Sequence, residues 1–139
     1  MYHDRFKLVD CDPATFQILA KRYARDKNNL YFNRYLVKEA DPNGFKLLLQ
    51  KGSSPYYTDG KQVFYQKNVL KNSDPNSWGR LYGRYSKDKN RVYYIAKIVE
   101  GADAATFESH SYKKINGKQY NAQDKNHRYI QGKKLNLNQ

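Results

Sequence analysis

A single cysteine, Cys11, permits neither an intramolecular disulfide nor a thiolate metal cluster. The three histidines, His3, His110 and His127, have no mutual metal-ligand spacing, so no metal and no cofactor is expected. Carboxylates are scarce as well, with 13 Asp and Glu against 26 Lys and Arg, for a net charge of +13. No apolar run reaches the 18 residues that a membrane span needs, and the opening MYHDRFKLVDCD has no apolar stretch of signal-peptide type. Leu, Ile, Val and Phe total 28 of 139 residues, about 20%, at the edge of what a folded core requires. No phosphate loop and no GxGxxG occurs. The segment ESHSY (108–112) puts Glu108 and two serines around His110, but neighbours in sequence do not make a triad, and these read as loop residues.

What the chain does have is tyrosine. Fourteen Tyr can bury large area while their hydroxyls keep polar partners. They also keep step with a repeat. Aligning on an opening aspartate gives Asp26, Asp59, Asp88 and Asp124. Three residues earlier stand Tyr23, Tyr56, Tyr85 and, in the last copy, Asn121. Five residues later come Tyr31, Phe64, Tyr93 and Tyr129, and eleven later Val37, Leu70, Val99 and Leu135. A second landmark recurs as DPATF (12–16), DPNGF (41–45), DPNSW (74–78) and DAATF (103–107). The expected organisation is one domain over 1–139: a partial repeat at 7–19, full repeats at 20–49, 50–81 and 82–111, and a partial one at 112–139.

Three copies read Asp-Lys-Asn from the aligned aspartate onward, whereas the second reads TDGKQVFY. Asp-Gly between alternating aromatics is a hairpin signal, so Asp-Lys-Asn is read as a turn too, with Asn28, Asn90 and Asn126 expected at positive φ. A second tight turn is expected at Asn33-Arg34, Gln66-Lys67, Ala96-Lys97 and Gln131-Gly132-Lys133. Asp12, Asp41, Asp74 and Asp103 should each cap a short helical turn. The aromatics that close these turns, Phe16, Phe45, Trp78 and Phe107, should point into the core. The fold class is therefore all-β or β-dominated, each repeat a short three-stranded meander plus one helical turn. Repeats of about 30 residues must stack on neighbours to bury a face.

These motifs, quoted as DKNNLYF, DKNRVYY, DKNHRYI, EADPNGF and EGADAATF, resemble the DKNYY family of bacterial repeat proteins over residues 7–135. Arg128 departs from the pattern, standing where an apolar residue is expected. The resemblance implies bacterial proteins that are often exported or envelope-associated and have no general activity. Some stand beside toxin genes, which implies an immunity role. The expected location is the periplasm or cell envelope if a leader segment has been removed, and the cytoplasm otherwise.

With most carboxylates used as turn formers and caps, the chain reads as a non-enzymatic binding module. Residues 112–139 hold Lys113, Lys114, Lys118, Lys125, Arg128, Lys133 and Lys134 against Asp124 alone. The expected partner is an acidic protein, most specifically a bacterial toxin that the chain neutralises. The alternatives are a nucleic acid or anionic envelope polymer, and a structural envelope protein without a toxin partner. Candidate contact residues are Arg80, Arg84, Lys113, Lys114, Lys118, Arg128, Lys133 and Lys134. Tyr57, Tyr112 and Tyr120 join them because they lie off the main repeat frame.

Overall fold

The computed structural model of the chain describes residues 2–3, 6–7, 11–20, 22–49 and 56–136. Segments 8–10 of the repeat at 7–19, and 50–55 of the repeat at 50–81, lie outside the described residues. The chain forms two compact units, residues 1–69 and 70–139. The first opens with a ribbon of β1 (Tyr2–His3) and β2 (Phe6–Lys7). A four-stranded antiparallel meander follows: β3 (Gln17–Ala20), β4 (Tyr23–Arg25), β5 (Leu30–Phe32) and β6 (Tyr35–Leu36). A second has β7 (Lys46–Leu49), β8 (Tyr56–Thr58), β9 (Val63–Tyr65) and β10 (Asn68–Leu70), the division between units falling inside β10. The other unit holds β11 (Gly79–Arg80), β12 (Tyr85–Lys87), β13 (Val92–Tyr94) and β14 (Lys97–Ile98). Its second meander is β15 (Glu108–Ile115), β16 (Lys118–Gln123), β17 (Arg128–Ile130) and β18 (Lys133–Lys134).

The strand-dominated architecture is the one expected, with one strand more per sheet. Each meander gains its fourth strand from the segment after the closing aromatic, which pairs with the Tyr-led strand of the next copy. The cores lie between consecutive meanders within each unit. Tyr23, Leu30, Phe32 and Val37 of the first meander meet Tyr57 and Phe64 of the second. In the other unit Tyr85, Val92 and Val99 meet Ala122 and Tyr129, with Ala104 and Phe107 between. Strand alternation explains the pattern, since residues one apart point to opposite faces and each meander can offer a face to either side.

The repeat aspartate ties the two landmarks together. Oδ1 of Asp26 accepts the N–H groups of Asn28 and Asn29 (2.8 and 2.7 Å), and its Oδ2 accepts the N–H of Asp12 (2.8 Å). The same reach recurs at Asp59 to Asp41 (2.9 Å), Asp88 to Asp74 (2.8 Å) and Asp124 to Asp103 (2.8 Å). Because this carboxylate holds the i+2 and i+3 amides, and Asp26 N–H donates to the Asn29 carbonyl (3.0 Å), the turn closes without a left-handed residue. Asn28, Asn90 and Asn126 are accordingly not at positive φ, contrary to expectation. The left-handed residues sit in the second turn instead: Asn33, Gln66, Ile95 and Gln131, at φ 54, 55, 58 and 48. In the third copy that turn is Ile95-Ala96 rather than Ala96-Lys97, because the pairing of Tyr94 with Lys97 leaves a two-residue loop.

The Asp-Pro turns are short, three residues each, as expected. Only Pro42–Gly44 forms a 3-10 helix, with Asp41 as its N-cap. The others close on one or two bonds, such as Thr15 N–H to the Asp12 carbonyl (3.3 Å), before a strand resumes. In three copies the hydroxyl at the third residue after the cap aspartate receives the turn lysine's N–H: Thr15 from Lys27, Ser77 from Lys89, Thr106 from Lys125. The second copy has Gly44 in that place and reverses the peptide. Gly60, at φ +93, donates its N–H to Thr58 Oγ1 (2.9 Å), and the Asp59 carbonyl faces Gly44 so closely that a Cβ there would lie 1.8 Å from its oxygen.

Of the closing aromatics, Phe107 is fully buried, whereas Phe16, Phe45 and Trp78 are half-buried. Phe45 still meets the rings of Tyr23 and Tyr57 at 5.4 and 5.2 Å. Phe107→Ala is expected to cost about 3–5 kcal/mol in urea unfolding, with Trp78→Ala costing clearly less. Gly44→Thr should destabilise on its own through the collision with Asp59. Combining it with Thr58→Arg, Gly60→Lys and Lys61→Asn, which restores the peptide orientation of the other copies, should recover most of the lost melting temperature.

Candidate functional site

Each meander has two ends. At one lie the aspartate turn and the Asp-Pro turn, and at the other the hairpin turns, such as Asn33-Arg34 and Gln66-Lys67. Every described carboxylate belongs to the aspartate end. The eight repeat aspartates form it, Glu39 and Glu100 lead into the Asp-Pro turns, and Glu108 pairs with Gln123 next to Asp124. The lysines there are partly neutralised: Lys27, Lys61 and Lys89 reach Asp12, Asp41 and Asp74, each at 3.7 Å.

These aspartates are committed to structure. Burial pushes the Asp26 carboxyl up, but the N–H groups of Asp12, Asn28 and Asn29 and the Tyr31 hydroxyl outweigh it, holding it below the usual carboxylate range. Asp124 behaves alike: burial opposes, while the N–H of Asp103, the Tyr129 hydroxyl (2.7 Å) and the N–H groups of Asn126 and His127 prevail. Among the described residues no group of three or more His, Cys, Asp or Glu stands where it could hold a metal ion.

The hairpin ends carry cations. In the first unit Arg22 lies beside the turn, its carbonyl accepting Asn33 N–H, while Arg34 and Lys67 occupy the turns themselves. Tyr35 lies between them, with Lys67 Nζ 4.1 Å and Arg34 Cζ 5.2 Å from its ring centre. In the second unit Arg84 abuts the turn at Ile95, and Lys97, Lys118 and Lys133 flank the three hairpin turns. Lys113 and Lys114 follow on β15, and Arg80 turns its guanidinium to the Gly83 carbonyl (3.0 Å) in the adjoining loop. Six of the eight candidate cations thus gather at the hairpin ends of one unit: Arg80, Arg84, Lys113, Lys114, Lys118 and Lys133.

The other two do not. Arg128 pairs with Gln123 at the aspartate end and lays its guanidinium over the Tyr120 ring at 5.3 Å. This cation fills the slot where Leu30, Val63 and Val92 are buried. Lys134 fills the space beside Gly101. Among the tyrosines, Tyr112 is exposed (56%), but Tyr57 and Tyr120 are buried and offer a partner nothing. Tyr57 occupies the inward slot held by Ala24, Ser86 and Ala122 elsewhere, stacks on Phe64 at 5.3 Å and donates its hydroxyl to the Gln66 carbonyl (2.6 Å). The Tyr120 ring is enclosed by Arg128 and by His110, 5.4 Å away.

Sequence reasoning overlooked Tyr82, the counterpart exposed ring (63%) in the loop between Arg80 and Arg84. It stands off the repeat frame, and that was the available signal. The segment ESHSY, expected as a loop, is the first part of β15. The Asn116-Gly117 pair, with φ 51 and 77, forms a two-residue hairpin, and Asn-Gly was a legible cue for the strands on either side.

The model of the DKNYY family matches residues 1–68 and 48–97. The chain belongs to the DKNYY family. No curated protein and no solved structure matches it. In this DKNYY protein the repeat signature, the Asp turn and the following aromatic strand, is the part that builds the sheets. The cations at the opposite ends lie outside that signature. Among the described residues no helix is long and apolar enough to cross a membrane.

The depressed carboxyls set a pH dependence. A folded pKa below the unfolded value near 3.9 contributes stability that is complete above about pH 5 and lost as pH falls through the folded pKa. Thermal melts should therefore be level from neutrality to about pH 5 and fall steeply below about pH 4. Asp124→Asn should lower the melting temperature at pH 7 and flatten the acid decline.

Proposed function

We propose that this DKNYY protein is a non-enzymatic binding module that docks an acidic protein through the hairpin ends of residues 70–139. The separation of charge carries this reading: the described carboxylates lie at the aspartate ends, and Arg84, Lys113, Lys114 and Lys133 face solvent where none of the described carboxylates stands. Unopposed cations of this kind steer an acidic partner and raise its rate of association. Exposed Tyr82 and Tyr112 beside them supply the apolar contact that charge alone lacks. The aspartates that could serve acid–base chemistry are occupied by backbone N–H groups, which favours binding over catalysis.

Within this class the sharpest assignment is an immunity or inhibitor protein, the acidic partner being a toxin, located in the periplasm or cell envelope if a leader segment has been removed and in the cytoplasm otherwise. The product of the adjacent gene is the first partner to test. The alternative ligand is a polyanion, whose mark is affinity that falls steeply with salt and does not require a protein.

The test is a binding measurement with the purified chain and that gene product, alongside a pull-down from the native bacterium. A stoichiometric acidic protein is expected. The triple variant Arg84→Glu, Lys113→Glu, Lys133→Glu should keep its melting temperature and lose about a hundredfold or more in affinity, because like charges facing across an interface cost several kcal/mol. Lys46→Glu with Lys71→Glu, at the aspartate ends, should leave affinity unchanged. Full affinity in the folded triple variant, or capture of nucleic acid alone, would overturn the proposal.

A further inference from the structure

The last meander is unlike the others at one edge. Strand β15 runs for eight residues, whereas the other sheet-edge strands, such as β3, β6, β11 and β18, have two to four. Among the described residues its sheet neighbour is β16 alone, and the ladder between them shifts register between Ser109 and Lys113 before pairing regularly over Lys113–Ile115. Ser111, Tyr112, Lys113 and Lys114 are all exposed along it. Near its start, Ser109 Oγ donates to the Tyr82 carbonyl (2.8 Å), which sets the exposed Tyr82 loop beside the same strand.

The backbone of this edge is oriented for pairing. Asn116-Gly117 makes a two-residue hairpin with both residues at positive φ, and Ile115 pairs with Lys118 across it. In such a hairpin the closing pair exchanges both backbone hydrogen bonds, and alternate residues face away. Lys114 therefore turns its N–H and C=O to the open edge. An exposed edge invites pairing with another copy of the same chain, and bulges and lysine are usual protections, here the irregularity between Ser109 and Lys113 and the lysines that follow it. Here Lys113 and Lys114 repel a second, equally cationic β15 and attract a strand of opposite charge.

The geometry points to strand addition: an extended, acidic segment of the partner pairs with the outer edge of β15, its main chain on Lys114 and its carboxylates on Lys113, Lys114 and neighbouring cations. This inference rests on the acidic-partner reading and specifies how that partner is held. Main-chain bonds would supply affinity and the alternating acidic side chains specificity.

The experiment uses the full chain and a displayed library of random ten-residue peptides. Enriched peptides are expected to alternate Asp or Glu with Val, Ile, Thr or Tyr. A synthetic copy of one should slow amide exchange at Lys114 when it binds. Lys114→Pro removes the outward N–H while sparing the β15–β16 ladder, since proline is tolerated on an edge. It should weaken the peptide at least tenfold, whereas Lys114→Gln, which keeps the N–H, should lose less than about threefold. The exchange measurement on the unaltered chain decides the matter if Lys114→Pro fails to fold. Acidic peptides that bind Lys114→Pro undiminished and leave Lys114 exchange unchanged overturn strand addition but leave the cationic-end reading standing. Peptides without acidic bias overturn both. An absence of enriched peptides overturns strand addition, and the charge-reversal experiment then judges the broader reading alone. Single-stranded oligothymidine that binds equally to all three chains would assign this end to polyanions and overturn the inference as well.

Discussion

One carboxylate per repeat, buried at Asp26, Asp59 and Asp88 and half-buried at Asp124, holds this protein together. Its Oδ1 gathers the amides of its own turn, and its Oδ2 crosses to the amide of the cap aspartate 14 to 21 residues earlier. A turn and a cap that are each local thereby become a single unit, and the strands leaving both are fixed in register. A charge with so little access to water is tolerable because each oxygen receives backbone donors, and charge-assisted bonds of this kind are stronger than neutral ones. Where Tyr31 and Tyr129 are present, their hydroxyls add a further donor to the same oxygen.

The second copy shows what this constraint leaves free. Gly60, Gly44 and Thr58 change together, the peptide after Asp59 reverses, and the carboxylate still accepts Lys61, Gln62 and Asp41 N–H groups at 2.9–3.0 Å. Turn type is therefore variable, provided the residues that face the peptide vary with it. The aspartate is fixed because a longer side chain would not place both oxygens on both sets of amides, and an amide side chain would present a donor to one of them.

The same device has an electrostatic consequence. Recruiting the described carboxylates to one end of each meander sets Arg84, Lys113, Lys114 and Lys133, at the hairpin ends of the second unit, apart from them. The charge separation follows from where the repeat needs its aspartates. It turns a diffuse excess of Lys and Arg into a localised surface, at which the exposed rings Tyr82 and Tyr112 also lie. Arg128 marks the converse case, a cation drawn off that surface to lie on Tyr120.

The strand-dominated class, the repeat and both turn positions were legible in the sequence, because period-two aromatics and Asp-Gly or Asp-Pro turns act over a few residues. Six of the eight candidate cations lie at the hairpin ends of one unit, and Tyr112, singled out because it lies off the main repeat frame, is exposed near them. Tyr57 was misjudged on that same criterion: off the frame in sequence, it fills an inward slot that other copies give to alanine or serine, and only the facing meander reveals the slot. The left-handed residues were misplaced because a carboxylate contact, invisible in the local sequence, removed the need for positive φ at Asn28, Asn90 and Asn126. By itself, then, the sequence determined how each repeat turns and alternates, which short-range sterics and hydrogen bonding suffice to settle. Tertiary structure alone decided which rings are buried and which charges share an end, because those depend on the face that each neighbouring meander presents.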